Sequence, residues 1–155
     1  MKGNDAVLAL LADLLANELT AINQYVLHAQ ICKNWGYHRL GDKLAEEAAG
    51  EREHADRLIE RILFLEGAPD LQRYHEIRGG AVVKELLEAD LAMEYDAIRA
   101  LETAIATCRA NADNGSEDLL MKILVSEQED THWIEAQLMQ MRELGEQNYL
   151  AQQLH

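Results

Sequence analysis

Four glutamates occupy positions where the pattern of this chain calls for carbon. Each sits on a line of apolar residues spaced by seven. The lines read Leu11, Glu18, Tyr25; Leu44, Glu51, Leu58, Leu65; Leu87, Glu94, Leu101, Cys108; and Leu120, Glu127, Ile134, Met141. Seven residues is close to two helical turns, so each line is the buried stripe of a bundle helix. One uncompensated buried carboxylate costs several kcal/mol. Four of them would consume most of a typical domain stability of roughly 5–15 kcal/mol. Something cationic must offset them, and a pair of metal ions is the best candidate.

The rest of the composition agrees with long helices. The chain has 155 residues, enough for one domain spanning 1–155 with a proper core. Pro69 is its single proline, and aromatics make up only 5 %, which disfavours sheet. No apolar run approaches the ~18 residues of a membrane span. The opening MKGNDAVLALLADLL lacks a signal-peptide cleavage pattern, so the expected location is cytoplasmic. With 28 acidic against 14 basic residues the formal net charge is −14. That argues against nucleic acid and anionic membranes as partners and suits a cationic cargo. Cys32 and Cys108 belong to no C-x-x-C pair and read as buried free thiols.

Four amphipathic segments follow in order. The first is expected over Asp5 to Asn34, capped by Asn4 or Asp5 and stopped near Gly36. The second runs from His38 to Glu66, the third from Val82 to Ala112, and the fourth from a Ser116 cap to just before Gly145. Gln147 to Gln153 suits a short fifth helix. Short links make segments one and two, and three and four, antiparallel hairpins. Gly67 to Gly80 joins the hairpins. Its fourteen residues span at most ~46–50 Å, against ~42 Å for a helix of this length. The prediction is an all-α, ferritin-like four-helix bundle with a long crossover.

His54 follows Glu51 by three and therefore shares its helix face. A glutamate from each of two helices plus Glu-x-x-His from each of two others makes a carboxylate-bridged di-metal site. Glu18, Glu94, Glu51 and His54 fit it. The fourth helix departs, because Asp130 stands three after Glu127. The nearby Glu129 and His132 lie about 200° and 140° from the Glu127 direction, whereas Asp130 lies about 60° away. Three arrangements stay open: Asp130 ligates, Asp130 points away, or His132 swings in through a helix bulge. Four glutamates balance two divalent ions; an ionised Asp130 adds a negative charge that favours a trivalent state or a third cation. Tyr25 is expected to pack beside the site, and its hydroxyl could bond a ligand. Glu47, one turn before Glu51, is either a transfer ligand or a solvated surface residue. His28, His38, His75 and His155 are expected at the surface or in packing, and Met93, Met121, Met139 and Met141 as core filler.

The segments MKGN, ELTAINQY (Glu18 to Tyr25), NWG, HADRLIERILFLEGAPDLQ (His54 to Gln72), ADLAMEYD around Glu94 and the closing NYLAQQL resemble bacterioferritin along essentially the whole chain. The resemblance implies a hollow shell of twenty-four subunits that oxidises ferrous iron at an intrasubunit di-iron site, with O2 or H2O2 as the expected oxidant, and stores the ferric mineral. The family's ferroxidase ligands match Glu18, Glu51, His54, Glu94 and Glu127; its sixth, a histidine, is Asp130 here, which implies weakened activity. The family's haem-ligating methionine falls at Arg52, and a guanidinium offers iron no lone pair. The resemblance thus points to a haem-free subunit, with a mixed shell as one composition and a catalytically impaired structural subunit as the alternative role. A rubrerythrin-type peroxidase would bring a C-x-x-C iron module, which is absent. A DNA-binding miniferritin is disfavoured by the charge and by a site that lies between subunits.

Overall fold

The computed structural model describes residues 1–155. Helix α1 spans Asp5–Asn34, α2 His38–Phe64, α3 Val83–Ala110, α4 Asn114–Leu144 and α5 Glu146–Ala151. No strand is present, and the all-helical expectation holds. Asn4 caps α1, its side-chain oxygen accepting from the Ala6 and Val7 N–H groups at 2.9 and 3.2 Å.

The fourth helix starts two residues earlier than expected, and its cap is Asp113 instead of Ser116. The Asp113 carboxylate accepts from the Ser116 N–H at 3.0 Å and from its hydroxyl at 2.8 Å, and Arg61 of α2 donates to it at 2.8 Å. A carboxylate is the stronger acceptor, and the helix N-terminus and guanidinium both favour its charge. Burial raises the Asp113 pKa, but the Ser116 and Arg61 contacts outweigh it and hold it below the usual value. The second helix ends at Phe64, two residues short of expectation. Glu66 has φ 64°, which breaks the helix before Gly67.

All fifteen residues of the four lines are buried, none more than 4 % exposed. The apolar core divides in two. One half gathers Leu11, Leu58, Ile62, Leu101, Leu120 and Ile123. The other gathers Tyr25, Leu40, Leu44, Leu87, Ile134 and Met141. The start of α2 therefore packs with the end of α4, so these helices are antiparallel. The four glutamates fall between the two halves as a polar belt across mid-bundle.

The crossover, residues 65–82, is fastened along α1. The His75 N–H donates to Thr20 Oγ1 at 2.9 Å, the Arg78 N–H donates to Gln24 Oε1 at 3.1 Å, and Arg73 pairs with Asp13 at 2.7 Å. A segment without secondary structure must find partners for its backbone groups, and α1 side chains supply them.

A carboxylate belt at the centre of the bundle

Mid-helix placement brings one glutamate from each long helix to a common level. Ligand atoms of Glu18, Glu51, His54 and Glu127 lie within 4.8 Å of one another, and so do those of Glu51, Glu94, Glu127 and Asp130. Two overlapping groups that share Glu51 and Glu127 have the layout of two adjacent cation positions with bridging carboxylates. His54 Nδ1 sits 3.1 Å from Glu51 Oε2, 3.6 Å from Glu127 Oε1 and 3.7 Å from Glu18 Oε2. The Tyr25 hydroxyl donates a short hydrogen bond to Glu94 Oε1, so Tyr25 both packs and orients a belt residue.

The donor set fits hard cations. One oxygen on each of Glu18, Glu51, Glu94 and Glu127 is buried with no hydrogen-bond partner. Such orphans are rare and costly in a native interior. Four of them on residues of two overlapping ligand groups call for cations, and oxygen donors with one imidazole suit first-row divalent metals.

The titration behaviour shows how strongly the belt resists carrying four charges. Burial raises the Glu18 and Glu94 carboxyls well above the ordinary value, and the charges of Glu51 and Glu127 raise them further. Burial opposes a charged His54, yet its bonds to Glu127, Glu18 and Glu51 push it up to about 12. Burial likewise raises Glu127, but His54 more than reverses this and the net shift is downward. Protons and an imidazolium thus occupy the electrostatic role that metal ions would take.

Asp130 is half-buried, and burial followed by contact with Glu47 lifts it to about 8. His132 is exposed on a continuous α4, so no bulge carries it inward. Glu47 is 6 % exposed and ion-paired to Lys43, so the expectation of a solvated surface residue is corrected. The cause is its position one turn from Glu51, facing α4. His38, His75 and His155 are exposed, Met141 is core, and Met121 and Met139 are exposed. Met93 is half-buried and lines a cavity of about 330 Å3 that reaches Glu18, Glu51, Glu94 and Glu127 from the α1, α3 and crossover side.

One polar cluster was not anticipated. His28 and Asp90 are both fully buried, with Nδ1 and Oδ1 2.8 Å apart. His28 Nε2 lies 2.7 Å from the Arg78 carbonyl oxygen, and Gln24 Nε2 donates to Asp90 Oδ1 at 2.9 Å. The available signal was the second row of each stripe: His28 stands three after Tyr25, and Asp90 four before Glu94.

The model of the Ferritin family, described as a ferritin-like domain, matches residues 8–144. The chain is 45 % identical over 155 residues to a bacterial ferritin of Synechocystis sp., covering 99 % of both chains. It is 43 % identical over 152 residues to a bacterioferritin of Mycobacterium leprae, covering 98 % of this chain and 96 % of that one. It is 42 % identical over 149 residues to a bacterioferritin of Brucella melitensis, covering 96 % and 92 %.

Proposed function

From a chain that belongs to the ferritin-like family, within it to the bacterioferritins, we infer iron storage in which ferrous iron is oxidised at the carboxylate belt and kept as ferric mineral inside an assembled shell. The observation that carries this reading is the convergence of four partnerless carboxylate oxygens and one imidazole between two apolar half-cores.

The ligands we assign are Glu18, Glu51, His54 and Glu94, with Glu127 as the second bridge and Asp130 as the sixth. Ferrous ions held there supply two electrons, one each, which reduce dioxygen to hydrogen peroxide or hydrogen peroxide to water. The chain's own residues do the rest. Glu51 and Glu127 belong to both ligand groups, so they are the residues that would be shared between two bound cations. Glu18 and Glu94 close the two ends, and the Tyr25 hydroxyl keeps Glu94 from rotating. His54 must shed its proton before its Nδ1 lone pair can bind, and the incoming positive charge drives that loss. The cavity beside α1 and α3 gives small ions and oxidants a way in.

Oligomeric assembly accords with exposed apolar residues such as Val26, Leu27, Leu63, Phe64, Leu71 and Val125. We assign a shell of twenty-four subunits in the cytoplasm, without haem on Arg52. That side chain is exposed and paired to Asp56 at 3.0 Å.

One observation favours a second reading, a structural subunit with impaired turnover. A carboxyl lifted to about 8 keeps its proton near neutrality and is a poor ligand until a cation displaces it. Anaerobic ferrous titration followed by an oxygen pulse separates the two. The ferroxidase reading expects di-ferric absorbance that Glu127→Ala reduces by at least the ~10–100-fold typical of perturbed metal sites. Ferrous binding without an absorbance rise selects the structural reading, and no binding at all sinks both.

A further inference from the structure

We propose that Arg78 is an electrostatic throttle on cations passing through the cavity to the belt, and that buried residues of α1 and α3 hold it at that post. The proposal rests on the reading of the belt as a metal site and names a residue that controls access to it.

The post is built from a row on α1. Thr20, Gln24 and His28 are spaced by four and share one helix face, and all three are buried. Thr20 Oγ1 accepts from the His75 N–H at 2.9 Å, and Gln24 Oε1 accepts from the Arg78 N–H at 3.1 Å. His28 Nε2 lies 2.7 Å from the Arg78 carbonyl oxygen. The backbone of Arg78 is thus gripped on both sides of its own Cα. Asp90 of α3, fully buried, fixes both grips. Gln24 Nε2 donates to Asp90 Oδ1 at 2.9 Å, and His28 Nδ1 lies 2.8 Å from the same oxygen. A carboxylate only accepts, so Gln24 turns its nitrogen to Asp90 and its oxygen to Arg78. A segment without secondary structure is thereby held in one position against α1.

The side chain on that fixed backbone has the opposite charge to its surroundings. Besides the four buried belt glutamates, the cavity is lined by the carboxylates of Glu76 and Asp96, which are exposed. Arg78 is its only lysine or arginine and is exposed as well, which places these three residues at the outer end. Neighbouring guanidiniums are already paired, Arg73 with Asp13 and Arg99 with Asp96, whereas Arg78 has no ion-pair partner. The carboxylates draw divalent cations towards the belt. An unpaired positive charge at the outer end raises the energy of each cation that passes it, and leaves uncharged dioxygen or hydrogen peroxide almost unaffected. Arg78 therefore tilts the cavity towards neutral oxidants and sets the pace at which cations enter.

The test is stopped-flow binding of cobalt(II) to the metal-free assembly at neutral pH, read as a second-order rate with the final stoichiometry beside it. Arg78→Gln should bind cobalt roughly 10-fold faster than the parent at low ionic strength. Arg78→Glu should be faster still, and Arg78→Lys should keep the parent's rate. The differences should close in about 1 M salt, where the screening length falls to about 3 Å. All four proteins should bind the same number of cobalt ions. The fastening of Arg78 uses only its peptide groups, so these variants keep the crossover in place. Equal rates for the parent and Arg78→Gln overturn the inference, as does a difference that persists in high salt. Slower binding by Arg78→Gln also overturns it, since the guanidinium would then recruit the cation. Absence of cobalt binding by the parent itself overturns the belt reading, and this inference with it.

Discussion

Glu94 illustrates how a single residue can serve the site at the expense of the fold. It is 1 % exposed, and one of its oxygens has no partner. Burial, then the charges of Glu51 and Glu127, raise its pKa well above the ordinary range. At neutral pH the metal-free protein must therefore hold a proton there or tolerate a repelled charge. Glu94→Gln removes that conflict while still accepting the Tyr25 hydroxyl. We expect the metal-free variant to be more stable by about 1–3 kcal/mol, seen as a rise of a few degrees in its thermal midpoint, and to lose the further rise that metal gives the parent. A lower metal-free midpoint would contradict the account. Tyr25→Phe tests the positioning role differently. It keeps the packing and deletes the hydroxyl, so metal affinity should fall by about 10–100-fold with little change in metal-free stability; unchanged affinity would assign Tyr25 to packing alone.

At the level of elements, one buried pair adds to the contacts that fasten the crossover. His28 places Nδ1 2.8 Å from Asp90 Oδ1 and Nε2 2.7 Å from the Arg78 carbonyl oxygen, an arrangement that favours the cationic ring. Burial opposes that charge, but Asp90 and the Arg78 carbonyl outweigh it and raise the His28 pKa. A raised folded pKa contributes stability fully below the unfolded value of about 6.5 and loses it as pH climbs through the folded value. Crossover amides near Arg78 should therefore lose hydrogen-exchange protection, beyond the intrinsic base-catalysed change, when pH rises from 6 to 9. His28→Ala should abolish that dependence and destabilise by about 3–5 kcal/mol, because it strands the Asp90 charge. An unaltered pH dependence in the variant would show that the fastening lies elsewhere. The positions of α1 to α4 were legible because a seven-residue stripe repeats along each one. The cap of α4 was not: Asp113 and Ser116 are both good caps in sequence, and Arg61, fifty-two residues before Asp113, decided between them.

For the whole molecule, the proposed shell and its proposed lack of haem can each be tested. The exposed apolar residues on the bundle expect neighbours, and the proposed shell should sediment at a mass near twenty-four copies of the 17.5 kDa chain. Leu19, Ile22, Ile59, Leu71 and Tyr74 line a shallow apolar hollow of about 280 Å3 beside Arg52. The purified assembly should show no bis-methionine haem spectrum, and Arg52→Met, which places a thioether beside that hollow, should permit one on reconstitution with haem. A stoichiometric haem spectrum from the parent assembly would refute the role given to Arg52.

The chain alone carried the bundle and the belt. A carboxylate on an apolar stripe is an energetic anomaly that periodicity exposes, and four of them at mid-helix leave little freedom in what they do. Glu18, Glu51, His54, Glu94 and Glu127 were identifiable because each is local to one helix: its face and depth follow from spacing. What only the tertiary structure decided lies between helices. Asp130 could ligate or turn away on spacing alone; its contact with Glu47 arises because antiparallel packing brings α2 and α4 into register. His28 and Asp90, sixty-two positions apart, meet only once α1 lies against α3 and the crossover closes over them. Spacing along a helix sets which way a side chain points, whereas its partner is set by long-range packing that no local pattern contains.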